Sequence, residues 1–402
     1  MMITSSDIYE PQEDSYLLQK SVRQLAFGRV LDMGTGSGIQ ALTAAEIPRV
    51  REVVAVDINP VAVEELKQKQ IRKMTVRQGD LFEPVDGQFT VIIFNPPYLP
   101  QDKGIEDCVL YGGKKGWEIA ERFFRDASRY LLPDGKILFL FSTLTNKQKI
   151  EEIVGRYLFS FQEIDRQKLA FEELFVYEIT KTPLLRRLEA RGIEHLTYHA
   201  QGKRGMIYKG RINLNQKIKS FIPSRSNYVD VAVKVKKETS EAKETIPRES
   251  SWLERANHRG IGPKLLLATE EFVVTKFISG DYLLEWLETH SGPEGVAVLH
   301  QLLDQCFLLD QGKISKEEMH HPYKHIIVTP FRKPVMIDFE RCHATEKPQN
   351  VTQFIEYICR LKPVLEKKGV TIDIALLREA AKEYKEGYAS DSFKKIIKLV
   401  SS

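Results

Sequence analysis

The sequence predicts two folds in succession, an α/β domain with a doubly wound sheet followed by an α+β domain of two lobes. Two observations predict the first fold. A glycine-rich turn joins a predicted strand at residues 29–32 to a predicted helix at 39–46, and an apolar run at 90–94 ends in a proline-rich motif. A third observation predicts the second fold, because beyond about residue 197 the pattern changes to short strands.

Length and composition fit a soluble, cytoplasmic chain. The chain has 402 residues, enough for two or three domains, and 42% of them are hydrophobic. It contains no apolar run of about 18 residues, so we expect no membrane contact, and its start lacks the pattern of a signal peptide. The four cysteines form no C-x-x-C pair, which predicts buried thiols in a reducing compartment. They are Cys108, Cys306, Cys342 and Cys359.

The net charge of +4 is unevenly distributed, since residues 1–180 are net acidic and the remainder is net basic. The basic excess is densest at residues 203–219 and 234–248. Such a surface suits RNA or the ribosome. The alternative is a solvated face together with a phosphate-binding cleft, and the sequence does not decide between them.

The glycine-rich turn predicts a ligand cradle at the carboxyl end of the first strand. Glycines let the backbone approach a ligand closely, although dehydrogenases that bind nucleotides use a similar turn. The next predicted strand ends at Asp57, placed to bind a ribose diol. After a third short strand, Asp80 is available for an adenine amino group, and Leu81 or Phe82 for the adenine face. The turn itself contains Asp32, Gly34, Gly36 and Gly38.

The motif Asn95-Pro96-Pro97-Tyr98 follows the apolar run at residues 90–94. Ligands of open α/β sheets bind at the carboxyl ends of strands, so Asn95 is expected at the mouth of the site. Its side-chain oxygen and the Pro96 carbonyl can accept both protons of a planar NH2 group, while Tyr98 covers the flat face of that group. Catalysis would then be mainly positioning. With the glycine turn, this predicts methyl transfer from S-adenosylmethionine to a planar nitrogen.

These motifs resemble the HemK-type protein glutamine methyltransferases, especially the shorter archaeal and eukaryotic branch. The opening segment at residues 9–15 reads Y-E-P-Q-E-D-S, and the similarity extends over roughly residues 5–180. The resemblance implies a seven-stranded class I methyltransferase domain over residues 1–181, with a joining helix at 182–196. It places Glu13 and Asp14 beside the methyl donor and residues 111–116 at the border of the substrate.

The family methylates the glutamine of a Gly-Gly-Gln loop in a translation release factor, and its members are often activated by a small zinc-ribbon subunit at the sheet edge. The residues alone leave an alternative open. An exocyclic amino group of RNA or DNA is also planar, and the second domain would then be an ATP sensor or a ribosome- or RNA-binding module. The acidic first half argues against nucleic acid.

The second half carries an ordered series of residues typical of nucleotide binding. Gly202 and Gly205 lie in a predicted hairpin able to cover phosphates, and Lys234 stands alone among valines on a strand. A buried lysine requires a partner, which we expect to be Glu249 at the start of the next helix. A Lys–Glu pair that positions phosphates is the protein-kinase arrangement, in which an aspartate such as Asp338 holds the metal.

Residues 197–402 therefore resemble the small atypical kinases of archaea, in the wider group of the RIO kinases and the KEOPS-complex kinase. The resemblance implies ATP with Mg²⁺, with Lys234 on the phosphates, Glu249 as its partner and Asp338 on the metal. Two departures concern catalysis. Glu340 replaces the glycine that normally follows Asp-Phe, and the loop at 316–325 lacks the H-x-D-x-x-x-x-N pattern.

If His325 takes the place of the metal-binding asparagine in that loop, His320 falls where the catalytic aspartate belongs. Glu318 is then the nearest carboxylate that could act as the base. The sequence therefore predicts nucleotide binding, with phosphoryl transfer that is slow or confined to one partner.

Overall fold

The computed structural model describes residues 8–99, 113–202, 205–213, 227–236 and 245–400. The chain divides into two compact units, Met1–Tyr198 and His199–Ser402.

The first unit is built on a seven-stranded sheet in the order β3-β2-β1-β4-β5-β7-β6. Strands β1 to β5 pair in parallel, whereas β7 runs antiparallel to both of its neighbours. This confirms the predicted doubly wound, mostly parallel sheet. Its strands are β1 Gly28–Met33, β2 Val50–Asp57, β3 Met74–Gln78, β4 Phe89–Phe94, β5 Leu131–Ser142, β6 Phe159–Lys168 and β7 Glu173–Lys181. Its helices are α1 Glu13–Leu25, α2 Ile39–Glu46, α3 Pro60–Gln68, α4 Glu118–Tyr130, α5 Lys147–Arg156 and α6 Pro183–Ala190.

The register of the central strands brings the predicted ligand residues to one edge of the sheet. Met33, the last residue of β1, lies opposite Val56 of β2 on one side and Phe94 of β4 on the other. Strands β1 and β4 are mostly buried, since helices cover both faces of a parallel sheet, and this burial explains their apolar runs. The turns after β1, β2 and β4 therefore meet at a single edge.

Helix α6 is shorter than the sequence predicts. Pro183 stands in the first turn and Thr182 caps it, but the helix ends at Ala190, and Gly192 adopts a positive φ of 74°. Residues Ile193–Gln201 then form a strand, β8, instead of the end of a joining helix. The expected linker at 182–196 is thus partly strand.

An ion pair between a buried lysine and a partly buried glutamate holds α6 against the sheet of the first unit. The Lys181 side chain is fully buried, and its Nζ donates to Glu189 Oε2 at 2.7 Å and to the Ser128 carbonyl at 2.7 Å. Burial lowers the pKa of Lys181 and raises that of Glu189, so in both groups desolvation opposes the charge more strongly than pairing favours it. The pair fixes the position of α6 but does not strengthen the fold beyond what apolar residues would provide.

The second unit combines an antiparallel sheet with a helical part. A five-stranded sheet has the order β11-β12-β10-β9-β8, and β8 runs across the residue at which the units divide. The other strands are β9 Gly205–Asn213, β10 Tyr228–Lys236, β11 Leu265–Ala268, β12 Phe272–Lys276, β13 Asp281–Tyr282, β14 Ile314–Lys316, β15 Ile326–Val328, β16 Pro334–Met336 and β17 Cys342–Ala344. The helices are α7 Thr245–Asn257, α8 Leu283–Thr289, α9 Gly292–Gln311, α10 Asn350–Glu366, α11 Ile374–Gly387 and α12 Ser390–Leu399.

One apolar core joins the helices of this second unit. It includes Leu299 and Leu303 of α9, Phe354 and Ile358 of α10, and Tyr384 of α11, all fully or almost fully buried. Short strands β13, β15 and β16 form a small sheet, and β14 pairs with β17. The unit is therefore α+β, with a strand-rich part followed by a helical part, as predicted.

Two boundaries in the second unit differ from the prediction. Helix α7 begins at Thr245, so Glu249 lies within its second turn and does not open it. Strand β16 ends at Met336, and Asp338 follows two residues later with a φ of +61°. Positive φ is uncommon outside glycine, although aspartate tolerates it better than most residues.

In the described part of the chain, no helix is both long enough and apolar enough to cross a membrane. Cys306, Cys342 and Cys359 are free and buried, as predicted, while Cys108 lies outside the described residues.

Replacing Lys181 with alanine should destabilise the first unit by about 1–3 kcal/mol, because the partly buried Glu189 would lose its partner. Denaturant unfolding followed by circular dichroism measures this change. The exposed pair Arg23–Glu46, 3.8 Å apart, provides the control, and Arg23→Ala should cost no more than about 1 kcal/mol. The double substitution Lys181→Met with Glu189→Leu should recover most of the loss. Equal effects for Lys181→Ala and Arg23→Ala would contradict the assignment.

Candidate active site

A cavity of about 530 Å³ opens at the carboxyl edge of the seven-stranded sheet. It is lined by the turn after β1, the end of β2, the segment after β3 and the motif after β4. The opening segment of the chain and the turn between β6 and β7 complete its wall. The predicted site residues among those that line it are Asp32, Gly34, Gly36, Asp57, Asp80, Leu81, Asn95, Pro96 and Tyr98.

Asp57 holds the glycine turn in place. Its Oδ2 accepts a hydrogen bond from the backbone N–H of Gly36 at 2.7 Å, and its Oδ1 accepts one from the N–H of Asn59 at 2.8 Å. Gly36 has a φ of +52°, and a Cβ on it would meet no atom within 4 Å, so the backbone of the turn is open to the cavity. The carboxylate thus braces the turn while retaining lone pairs for a ligand.

Asp32 supports the same turn from beneath. It is 2% exposed, and its Oδ2 accepts hydrogen bonds from Thr35 Oγ1 at 2.6 Å and from the Ala41 N–H at 3.0 Å. Burial raises the pKa of Asp32 to about 7, even though these two hydrogen bonds favour the carboxylate. Asp32 therefore ties the turn to the first residues of α2.

A hydrogen bond between Asp14 and Asn95 sets the orientation of the Asn95 amide. Asn95 Nδ2 donates to Asp14 Oδ2 at 2.8 Å, while Asp14 Oδ1 accepts from the Tyr9 hydroxyl and from the Ser15 N–H. A carboxylate accepts hydrogen bonds, so the NH2 end of Asn95 must face it. The Oδ1 of Asn95 is then buried, and no described residue forms a hydrogen bond with it. An acceptor left in this way is suited to a donor from a ligand.

Tyr98 and Pro96 complete the wall beside Asn95. The Tyr98 backbone is held by Thr145, whose Oγ1 donates to the Tyr98 carbonyl at 3.2 Å. Burial, followed by the nearby carboxylates of Asp14 and Glu172, raises the pKa of Tyr98, so its phenol is neutral. A neutral ring presents an aromatic face to the cavity rather than a charge.

Asp80 and Leu81 lie after β3, on the far side of the cavity. Asp80 Oδ2 accepts a hydrogen bond from Arg122 of α4 at 2.5 Å, which fixes the carboxylate at the wall. Leu81 has a φ of +50°.

Two predicted ligand residues of this unit do not line the cavity. Glu13 is exposed in the first turn of α1, whereas the adjacent Asp14 is buried and lines the cavity. Gly38 serves packing, since a Cβ there would come within 2.5 Å of a Leu66 methyl group. Of the expected substrate border at 111–116, residues 111 and 112 lie outside the described part, and Gly113 lines the cavity.

Tyr9, which bonds Asp14, and Glu172, which lines the cavity, were not predicted from the sequence. Tyr9 is the first residue of the opening motif and lies five residues before Asp14, so the sequence did contain a signal for its role. Glu172 is one of two adjacent glutamates in a hairpin far along the chain, and no sequence pattern distinguishes it from Glu173.

In the second unit, Lys234 lies among three carboxylates. Its Nζ is 2.6 Å from Glu249 Oε2, 3.4 Å from Asp338 Oδ1 and 3.4 Å from Glu340 Oε2. Burial alone would lower the pKa of Lys234, but the carboxylates outweigh it and raise that pKa. Oxygens of Glu249, Asp338 and Glu340 are close enough together to share a metal ion. The structure thus brings together the predicted Lys234, Glu249 and Asp338, and adds Glu340.

The predicted catalytic loop has an unexpected arrangement. Glu318 has a φ of +72° and is paired with Arg341 and with His325, whose Nε2 is 3.3 Å from Glu318 Oε2. His320, which stands where a kinase has its catalytic aspartate, is exposed. Lys316 is buried in the same region and donates from Nζ to the Asp338 carbonyl.

The predicted hairpin at Gly202 and Gly205 is partly described. The Gly202 N–H donates to the Gly205 carbonyl at 2.9 Å, and a Cβ on Gly205 would lie 2.7 Å from the Val235 carbonyl. The close approach of β9 and β10 therefore requires glycine at position 205. Residues 203 and 204 lie outside the described part.

The first unit matches known proteins. Residues 10–168 match the family model described as methyltransferase small domain. A putative protein N5-glutamine methyltransferase of Methanocaldococcus jannaschii is 36% identical over 178 residues, which are 42% of this chain and 90% of that protein. Methyltransferase HEMK2 of Homo sapiens is 30% identical over 167 residues, 37% of this chain and 78% of that protein.

Longer bacterial relatives match over a smaller share of their length. The release factor glutamine methyltransferase of Deinococcus radiodurans is 32% identical over 136 residues, and this chain spans about half of it, 49%. Among solved structures, the Mtq2-Trm112 complex of E. cuniculi matches 44% of this chain with a TM-score of 0.37 and 25% identity.

The fold and the cavity define a methyltransferase that uses S-adenosylmethionine. The donor fits the residues present: an open glycine backbone at Gly36, a braced carboxylate at Asp57 and a second carboxylate at Asp80 face one cavity. Through its first unit the chain belongs to the HemK-type family of protein N5-glutamine methyltransferases.

Replacing Asp57 with alanine should weaken S-adenosylmethionine binding by about 1.5–3 kcal/mol, because a charge-assisted hydrogen bond and the brace on Gly36 are both lost. Isothermal titration calorimetry on the full chain measures this. Asp134→Ala is the control, since Asp134 is highly exposed and paired with Arg186 away from the cavity. Unchanged affinity in Asp57→Ala would exclude Asp57 from the donor site.

Proposed function

We propose that the protein transfers a methyl group from S-adenosylmethionine to the side-chain amide nitrogen of a glutamine in a translation release factor. The observation that carries this proposal is the buried, unpaired Oδ1 of Asn95 in the wall of the cavity. An amide NH2 supplies the donor that this oxygen lacks. Relatives named as release factor glutamine methyltransferases support the choice of substrate.

The residues of the cavity perform the reaction by positioning. Asn95 Oδ1 and the Pro96 carbonyl accept the two amide protons, so the nitrogen is held with a fixed orientation. The Tyr98 ring covers the flat face of the amide, and Asp14 prevents Asn95 from turning its NH2 end toward the substrate. When bound, S-adenosylmethionine would supply an electrophilic methyl group and leave as the neutral thioether S-adenosylhomocysteine, and the methylated nitrogen would lose one N–H proton to solvent. Holding the amide in this orientation is worth several orders of magnitude in rate and requires no strong base.

A ribosomal protein is a second candidate substrate. Relatives from Bradyrhizobium diazoefficiens and Bordetella pertussis are named ribosomal protein uL3 glutamine methyltransferases. They act on the same chemical group, so the cavity does not discriminate between the two proteins. An RNA or DNA amino group fits less well, because the first 180 residues are net acidic and would repel phosphates.

Two partners remain proposals. Strand β3 is an edge of the seven-stranded sheet and pairs only with β2 in the described part, so a small zinc-ribbon activator could add a strand there. The basic second half would suit ribosome or RNA contact. Both are testable by co-purification with the full chain.

Replacing Asn95 with alanine should lower the turnover number roughly a hundredfold or more, because the methyl acceptor is no longer oriented. Affinity for S-adenosylmethionine should stay near the wild-type value. Methylation of a recombinant release factor, followed by mass spectrometry, gives the turnover. Asn146→Ala is the matched control, since Asn146 caps α5 outside the cavity and its loss should leave turnover unchanged. Near-wild-type turnover in Asn95→Ala would refute the assigned role of the motif.

We further propose that the second unit binds ATP with Mg²⁺ in a kinase-like site and transfers phosphate slowly or to one partner. Lys234 paired with Glu249 supports phosphate binding, and Asp338 with Glu340 supports the metal. Slow transfer is supported by the loop, where Glu318 is tied to Arg341 and His325 and must leave them before it can act as a base. A sensor of ATP without phosphoryl transfer is the alternative.

ATP with Mg²⁺ should raise the melting temperature of the full chain, and Asp338→Ala should abolish the magnesium-dependent part of the rise, because it removes a metal-binding carboxylate. Differential scanning fluorimetry with ATP, alone and with MgCl2, measures both parts. Asp391→Ala is the control, since Asp391 is highly exposed and pairs only with Lys394 among the described residues. No shift at saturating nucleotide would exclude a nucleotide site, and brisk phosphorylation of a generic substrate would contradict slow transfer.

A further inference from the structure

The turn between β6 and β7 contributes a further unpaired acceptor to the cavity. Glu172 lines the same cavity as Asn95, and its Oε2 is buried with no hydrogen-bond partner among the residues that the structure describes. A carboxylate oxygen shielded from water and lacking a donor is costly to keep in a folded protein. The position of Glu172 therefore requires an explanation beyond packing.

The backbone on both sides of Glu172 is fixed. The Leu169 N–H donates to the Glu172 carbonyl at 2.8 Å, which closes the turn, and the N–H of Glu173 donates to Thr143 Oγ1 at 3.1 Å. Between them Phe171 is 95% exposed, so the turn presents one residue to solvent and the next to the cavity. Glu172 is thus held at the cavity by its main chain.

The groups around Glu172 leave its oxygen available to a ligand. The Tyr9 hydroxyl is already used by Asp14, and Asn95 presents its oxygen, not its NH2 end, to the cavity. Burial, with contributions from Asp14 and Glu172, raises the pKa of the Tyr98 phenol, so its hydroxyl stays protonated, yet among the described residues Glu172 Oε2 accepts no hydrogen bond from it. In the described part of the cavity, three side-chain acceptors lack a donor: Gln40 Oε1, Asn95 Oδ1 and Glu172 Oε2, of which Glu172 alone is a carboxylate.

We propose that Glu172 is a specificity-determining residue, whose carboxylate accepts a hydrogen bond from the NH2 group of the methyl acceptor and so selects glutamine against glutamate. The inference rests on the proposed function of the first unit. A glutamine amide carries two N–H donors: Asn95 Oδ1 accepts one, and the second is shared between the Pro96 carbonyl and the Glu172 carboxylate. A glutamate carboxylate carries none, and it would meet a second negative charge at Glu172. Mismatches that leave buried polar groups unpaired give strong discrimination.

Glu172 is thus an acceptor in addition to Asn95 Oδ1 and the Pro96 carbonyl. Asn95 holds one N–H of the amide, and the Pro96 carbonyl and the Glu172 carboxylate both lie available for the other. The carboxylate differs from the carbonyl in its charge, so the charge discrimination falls on Glu172.

The test compares the full-length wild type with Glu172→Gln and Glu172→Ala on two peptides from a release factor, identical except for glutamine or glutamate at the methylated position. Titration calorimetry gives the affinity for each peptide, and steady-state methylation of the glutamine peptide gives KM and kcat separately. Glu173→Gln is the matched control, because Glu173 does not line the cavity and pairs with Arg166 at 3.8 Å. Melting curves verify that every variant is folded.

We expect Glu172→Gln to raise KM for the glutamine peptide about ten- to a hundredfold, the loss of one charge-assisted hydrogen bond. We also expect the preference for the glutamine peptide over the glutamate peptide to fall by at least about tenfold. The amide introduced at position 172 can donate a hydrogen bond to the carboxylate of the glutamate peptide. Glu172→Ala should likewise raise KM and lower the preference for glutamine, and Glu173→Gln should change neither.

An unchanged preference in both Glu172 variants would overturn the inference and leave the proposed function standing. Failure of the wild type to methylate any release-factor glutamine would overturn the proposed function and the inference together. The two failures are therefore distinguishable in one set of assays.

Discussion

The hydrogen bond from Asn95 to Asp14 is the interaction on which the chemistry of the first unit depends. It joins the first turn of α1 to the end of β4, two elements separated by 81 positions in the chain. Asp14 also accepts hydrogen bonds from Tyr9 and Ser15, and these hold its carboxylate in place. If the Asn95 amide rotated, its oxygen would face this fixed carboxylate, so the rotation is disfavoured. The acceptor that faces the cavity is thus fixed by a residue that need not touch the substrate.

Carboxylates also fix the backbone on the side of the cavity formed by the glycine turn. Asp57 and Asp32 each accept backbone N–H groups of the glycine turn or of the helix that follows it. Burial raises the pKa of Asp32 to about 7, so a carboxylate there exists only at a cost, which the turn and α2 offset in part. Both halves of the site are therefore shaped by buried carboxylates that organise backbone and amide groups.

The second unit uses charge differently. Lys234 lies among three carboxylates and Lys316 lies beside Asp338, so among the described residues the carboxylates of this cluster outnumber its lysines. A divalent cation would balance the remaining negative charge, and a phosphate could then approach Lys234. By contrast, Glu318, the carboxylate that we propose as the base, is paired with Arg341 and His325. If the proposed function holds, the charges of this unit favour nucleotide binding over phosphoryl transfer.

The local motifs could be predicted from the sequence because each depends on neighbours in the chain. Helix α2 has the predicted bounds, and β1, β2 and β4 lie where the apolar runs placed them. Asp57 and Asn95 were predicted at the cavity because strand ends follow directly from those runs. Helix α6 was overestimated, since Gly192 ends it and the following residues satisfy their backbone groups in a strand.

The sequence by itself determined the sheet, the glycine turn, the Asn95 motif and the pairing of Lys234 with Glu249. Only the tertiary structure decided that Asp14 and not Glu13 faces the cavity, that Gly38 serves packing, and that Glu340 joins the carboxylate cluster. It alone placed Glu172 in the wall of the cavity that Asn95 lines. The physical reason is that burial and pairing depend on residues far apart in the chain, and a sequence pattern reports only what lies within a few residues.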